Sequence, residues 1–245
     1  MNRAPFFATV IAALLLAISA PAHGALPQPF SVVYDVKYSG ATVAQTTFSL
    51  ATQTDSGLYQ LRTVTEPRGL AALIRYGDVV EVSRFKVDGA RFVPIDYRFN
   101  DGTRKGKRNS TIFFDWANAS AQSTYKNTDA NHTLIGNESD RMLLQLQIMA
   151  DMQAAQPASA YRIIDRNEIK QYDVETLGEE VLSTPAGQFQ TVKLRRQRPG
   201  SSRATLIWAS IDHHFVPVKM VQTIDERPNV VLTATSLAFG AEAAP

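Results

Sequence analysis

The chain has no cysteine among its 245 residues. That absence excludes disulfide staples, thiol catalysis, iron–sulfur clusters and thiolate zinc sites. It also excludes a cysteine-linked lipid anchor after the leader. No G-x-S-x-G nucleophile elbow occurs, and no Gly-rich phosphate loop is present. Histidine is scarce, with four in all, and one of these is His23 in the leader. Charge of either sign is nearly balanced. With 25 basic and 23 acidic residues the chain carries +2, and removing Arg3 with the leader leaves 24 against 23, or +1. General nucleic-acid binding needs a strong basic footprint, which this balance does not supply. Nothing in the sequence joins a nucleophile to a base and an orienting group. The chain therefore reads as non-enzymatic, without cofactor or metal.

Long apolar runs are limited to one. "MNR" is followed by "APFFATVIAALLLAISA" and then by the small residues of "PAHGA". A basic start, an apolar middle and a small-residue end form a secretory leader. Its apolar part, roughly 15 residues, is shorter than the ~20 a spanning helix needs. Cleavage is expected after Ala22 or Gly24. We read residues 1–24 as the leader, 25–240 as a single β-rich domain and 241–245 as a disordered tail. No transmembrane segment remains after cleavage, and the expected location is the periplasm. Sequon patterns at Asn109, Asn118, Asn131 and Asn137 would count only in a eukaryotic pathway, and the leader has a bacterial build.

What is present is mostly strand pattern. "FSVVYDVKY" alternates Phe30, Val32, Tyr34, Val36 and Tyr38 with Ser31, Asp35 and Lys37, the period of a half-buried antiparallel strand. Similar segments recur to "NVVLTATSLAF", punctuated by turn signals such as Asp88-Gly89 and "RPGSS". The expected fold is mainly β: an antiparallel meander of roughly a dozen strands in a curved sheet or half-barrel, with one helix packed on it. That helix is "SDRMLLQLQIMADMQAA", 139–155, with Ser139 as N-cap and apolar residues at helical spacing. A short helical flap is expected over 66–77, with Leu70, Leu73 and Ile74 on one face.

Several groups could carry function. His213-His214 sits in "ASIDHHFVP", and neighbouring residues on a strand face opposite ways. Turn chemistry around Asp212 is the expected role, not metal binding. His132 stands on a polar loop. Glu179-Glu180 and Asp225-Glu226 read as solvated strand ends. Two basic clusters, "RKGKR" at 104–108 and "RRQRPGSSR" at 195–203, read as solvated hairpin tips that guard sheet edges. The sharper reading puts Arg104, Lys105, Lys107 and Arg108 against anionic membrane headgroups. Met adapts to varied apolar partners, so the helix is either core or a lid. In the lid reading Leu143, Leu146, Met149 and Met152 face a ligand.

"YDVKYSG", "STIFFD", "GNESDRMLLQLQ", "EEVLSTPAGQFQTVKL" and "LIWASIDHHFVPVKM" stand in an order that resembles the bacterial exported family known as domain of unknown function 3108. The likeness covers about residues 28–237. Its most specific pieces are Thr184-Pro185-Ala186-Gly187-Gln188-Phe189 and the spacing Trp208…Asp212…Pro217-Val218-Lys219. The resemblance implies an exported antiparallel β protein, a half-barrel similar to periplasmic lipoprotein carriers. It implies no catalytic residue. Two functions follow as expectations. The first is an envelope protein that binds a lipid or other apolar or amphipathic ligand. The second is a structural module with a filled core and an envelope protein partner.

Overall fold

The computed structural model describes residues 28–53, 57–69, 72, 77–89 and 91–240. The leader, the 241–245 tail and Leu70, Leu73 and Ile74 of the expected flap lie outside the described residues. Glu66 and Pro67, also placed in that flap, instead end a strand.

The first half of the sheet is built from β1 (Phe30–Tyr38), β2 (Ala41–Gln53), β3 (Leu58–Pro67), β4 (Val79–Asp88) and β5 (Arg91–Asn100). It continues through β6 (Ser110–Asp115), β7 (Ser120–Tyr125) and β8 (Thr128–Thr133). After β9 (Glu138–Ser139) comes the helix α1 (Arg141–Gln153). The second half holds β10 (Ala160–Asp165), β11 (Glu168–Thr184), β12 (Gly187–Gln197), β13 (Arg203–Ser210), β14 (Val216–Ile224) and β15 (Arg227–Phe239). Alternation is the local cause. In β1, Phe30, Val32, Tyr34 and Val36 are buried, and Ser31, Val33 and Asp35 between them are half-buried.

Among the described residues these fifteen strands form one sheet, ordered β8-β7-β6-β5-β4-β3-β2-β1-β15-β14-β13-β12-β11-β10-β9. The chain starts at the middle, where β1 pairs with both β2 and β15. It walks out to β8, crosses through α1, and walks back from the far edge to the middle. Every pairing is antiparallel except β9 with β10. The mainly β fold with one helix is as the sequence predicts. Among the described residues it has fifteen strands where the alternation predicts about a dozen, because short polar strands such as β7 and β8 carry little apolar pattern.

An open sheet this wide curls under its accumulated twist. Bulges at Arg84/Phe85, Thr176/Gly178 and Trp208/Ala209 add bend. The two ends of the sheet then touch through side chains. Asn167, in the β10–β11 turn, donates to the Thr128 carbonyl at 2.7 Å and accepts from Ser123 Oγ at 2.8 Å. Several of the two-residue turns need left-handed backbone, as at Lys126-Asn127 and Arg166-Asn167, where Asn is well tolerated.

Helix α1 runs inside the curl. Leu143, Leu146 and Met149 pack in one cluster with Tyr34, Phe85, Tyr97 and Ile112. Leu144 and Ile148 pack in another with Ile163, Leu194 and Ile207. An element with apolar residues on two faces is buried between two walls. Its cap is Asp140, not the expected Ser139, which belongs to β9. Asp140 Oδ1 accepts from the Met142 and Leu143 amides, each at 2.9 Å. Both residues are good caps. Ser83 Oγ decides between them by donating to Asp140 Oδ2 at 2.6 Å.

Candidate functional site

The start of α1 is pinned to the sheet by charge. Arg141 meets Glu81 on β4 through two bonds of 2.5 Å and lies 4.9 Å from the Phe99 ring. Tyr97 donates to the same carboxylate at 2.9 Å. Burial pushes the Asp140 carboxyl up to about 6, although Ser83 and the two amides pull it back.

Beside this anchor lies a cavity of about 500 Å³. It sits within the size range of small-molecule sites. Its deep lining is apolar and buried: Tyr34, Phe48, Met142, Leu144 and Ile163. Its mouth is formed near the β10–β11, β12–β13 and β14–β15 turns, where Arg166, Arg198 and Arg203 line it and are exposed. Between floor and mouth sits Arg196. Strand alternation puts Val192, Leu194 and Arg196 on one face of β12. Val192 and Leu194 pack in the helix-side cluster, so that face looks inward.

Within 195–203, Arg198 and Arg203 stand exposed at the hairpin tip as expected, and Arg196 departs from that reading. Strand β12 runs on to Gln197, which carries Arg196 into the interior. Its Nε has no hydrogen-bond partner and no solvent contact. Its guanidinium reaches only a marginal 3.5 Å contact with Gln145 Oε1 and lies 5.9 Å from the Tyr172 ring. Burial pulls its proton affinity down, Tyr172 raises it, and Arg141 lowers it further.

The four residues of the expected lid, Leu143, Leu146, Met149 and Met152, do not line this cavity. The first three are buried in the core, and Met152 packs half-buried against the second cluster. Met142, Leu144 and Gln145 are the helix residues that line it. Arg104, Lys105, Lys107 and Arg108 stand exposed on the β5–β6 loop, away from the cavity. That loop is held by Asp101, which accepts from the Thr103 and Arg108 amides at 3.0 and 3.1 Å.

His213 and His214 occupy the β13–β14 turn. A short 3-10 turn spans Ile211–His213, and His214 is left-handed with φ of 54°. His213 Nδ1 meets Ser210 Oγ at 2.9 Å, and both rings pack on Phe239. His132 differs from expectation, since it lies on β8 and its Nε2 meets Ser123 Oγ at 2.8 Å. Glu180 also differs. It lies within β11, not at a strand end, and accepts from Trp208 Nε1 at 2.5 Å. Lys193 and Lys219 each sit 4.8 Å from that indole ring. The Trp208…Lys219 spacing thus encodes a cross-strand stack.

A curled antiparallel sheet threaded by one helix, with a cavity at the helix start, defines a barrel-like β protein. The chain belongs to the family described as protein of unknown function DUF3108, whose model matches residues 33–233. Among solved structures it is similar to a β-barrel-like protein of domain of unknown function DUF1849 from Brucella abortus. The identity is 11%, the match covers 86% of this chain and 98% of that one, and the TM-score is 0.56. It is also similar to MucB at 15% identity and a TM-score of 0.41, covering 91% of this chain and 57% of that one. No curated protein matches the chain.

Proposed function

We propose that this is a non-enzymatic protein of the bacterial periplasm that binds an amphipathic, lipid-like ligand inside its curled sheet. The observation that carries the reading is the cavity with an apolar floor and a basic mouth. The leader in the sequence supports the location. An acyl chain laid on Tyr34, Phe48, Met142 and Leu144 would gain roughly 0.8 kcal/mol per buried methylene. The helix serves as the inner wall of the site, with Leu143, Leu146 and Met149 fixing it from behind.

The test is to fill the space. Met220 lines the cavity and is half-buried. Met220→Trp is expected to abolish binding of a fluorescent fatty-acid probe while circular dichroism stays native. Leu232→Trp, on the next strand, is expected to do the same and covers the case where the first variant misfolds. Unchanged probe binding in both would reject the cavity as the site.

A second reading is favoured by one observation. The helix packs into apolar clusters on two of its faces, as in a structural module. Leu177 and Val181 are exposed on β11 and would offer an apolar strip to an envelope protein partner. This reading gains if no probe binds the native protein.

The exposed β5–β6 loop belongs to the same proposal as a membrane-surface contact. Lys105→Ser with Lys107→Ser is expected to shift stability by less than ~0.5 kcal/mol. The pair should weaken cosedimentation with anionic vesicles. Equal cosedimentation would assign the loop to edge protection alone.

A further inference from the structure

We infer that the ligand of this cavity is acidic, and that Arg196 receives its phosphate or carboxylate group. The inference rests on the amphipathic-ligand reading and adds the chemistry of the headgroup.

The argument begins with charge. Six cations line the cavity: Arg141, Arg166, Lys170, Arg196, Arg198 and Arg203. Two carboxylates line it with them, Glu81 and Asp165. Both carboxylates are taken. Glu81 is held by Arg141 at 2.5 Å, and Asp165 by Lys170 at 2.6 Å. Among the described residues no carboxylate lies within ion-pair distance of Arg166, Arg196, Arg198 or Arg203. Four guanidinium groups thus face one cavity without a counter-charge.

The setting of Arg196 sharpens the point. Arg196 Nε and Gln145 Nε2 are both sealed from solvent, and neither has a hydrogen-bond partner. The two residues are neighbours, since Arg196 Nη1 lies 3.5 Å from Gln145 Oε1. Buried polar groups are nearly always satisfied in native proteins. Neither atom is open to water, so a ligand would meet Arg196 through the accessible remainder of its half-buried side chain, which lines the cavity. A half-buried cation without a counter-charge is costly, and an oxyanion in the cavity would supply one. Planar guanidinium matches phosphate and carboxylate oxygens in two-point fashion. The start of the helix does not provide this function, because Asp140 already occupies the Met142 and Leu143 amides.

The floor supplies the second half of the specificity. Below Arg196 the lining turns to Leu144, Ile163 and Met142. An acidic headgroup at the guanidinium therefore leads its chain onto apolar surface. The mouth arginines Arg198 and Arg203 would guide an anion inward.

Four probes separate the possibilities: dodecyl phosphate, dodecanoate, dodecanol and inorganic phosphate, titrated by calorimetry. The protein is expected to bind the two acidic amphiphiles at least tenfold more tightly than dodecanol. Arg196→Gln is expected to weaken both acids at least tenfold and leave dodecanol within twofold. The variant removes an unpaired cation, so its melting temperature should not fall. If it fails to fold, Arg198→Gln with Arg203→Gln should weaken the acids several-fold and their salt dependence with them. Equal binding of dodecanol and the acids overturns the inference and leaves the amphipathic-ligand reading standing. Inorganic phosphate binding through Arg196 as tightly as dodecyl phosphate overturns the amphiphile and keeps a free-anion site. Binding of none of the four overturns both.

Discussion

Leu146→Ala is expected to destabilise the fold by about 3–4 kcal/mol, in the middle of the range for buried leucines. Leu146 has no solvent exposure and sits on a helix enclosed by sheet on two sides. The helix lies against β10 on one side and β4 and β5 on another. Walls of hydrogen-bonded strands cannot close on the space a leucine leaves, so the cavity cost adds to the transfer cost. Met142→Ala is expected to cost less, because part of that side chain already borders open space. Urea denaturation of the three proteins measures the order. A loss below ~1 kcal/mol for Leu146→Ala would mean the helix lies loosely over a void.

Asp140→Asn is expected to change the pH dependence of stability. The Asp140 carboxyl is buried and shifted from 3.8 to about 6. The native state therefore holds a proton that the unfolded chain releases between those values. This group's contribution is present in full below about pH 4 and is lost as pH rises through 6. The shift corresponds to about 3 kcal/mol. Asn keeps the oxygen that accepts from Met142 and Leu143, and its amide can donate to Ser83 Oγ. The advantage of Asp140→Asn over the native protein should therefore grow from pH 4 to about 6.5 and then level off. Thermal melts across that range read it directly. A constant difference from pH 4 to 7 would show that Asp140 titrates as an exposed carboxyl.

The strands were legible where one face is apolar. Phe30, Val32 and Tyr34 alternate in sequence and are all buried. Strands β7 and β8, "SAQSTY" and "TDANHT", were not legible, because β7 buries Ala121 and Ser123 and β8 lies mostly exposed at the sheet edge. Their one signal is Asn127 in the turn between them. The pairing of β1 with β15 joins residues some 200 positions apart and leaves no local trace. The helix cap was ambiguous for a similar reason. Ser139 and Asp140 are equal locally, and Ser83 makes the choice from a distant strand.

The site was less legible than the fold. The helix was visible, but helical spacing cannot say which of its faces meets protein and which meets space. Leu144 and Gln145 line the cavity on the side of β10 and β12, and Leu143 and Met149 pack into the other cluster. Arg196 looks like one more charge in "RRQRPGSSR". Its alternation with Val192 and Leu194 was the available signal. Turn residues nearby argued more loudly for a solvated tip.

Native mass spectrometry of the protein, purified gently from the cells that make it, tests the central claim most directly. The account predicts a 1:1 adduct of an acidic, chain-bearing molecule that Met220→Trp removes. A protein that arrives empty, and that neither acidic nor neutral amphiphiles load afterwards, would contradict it.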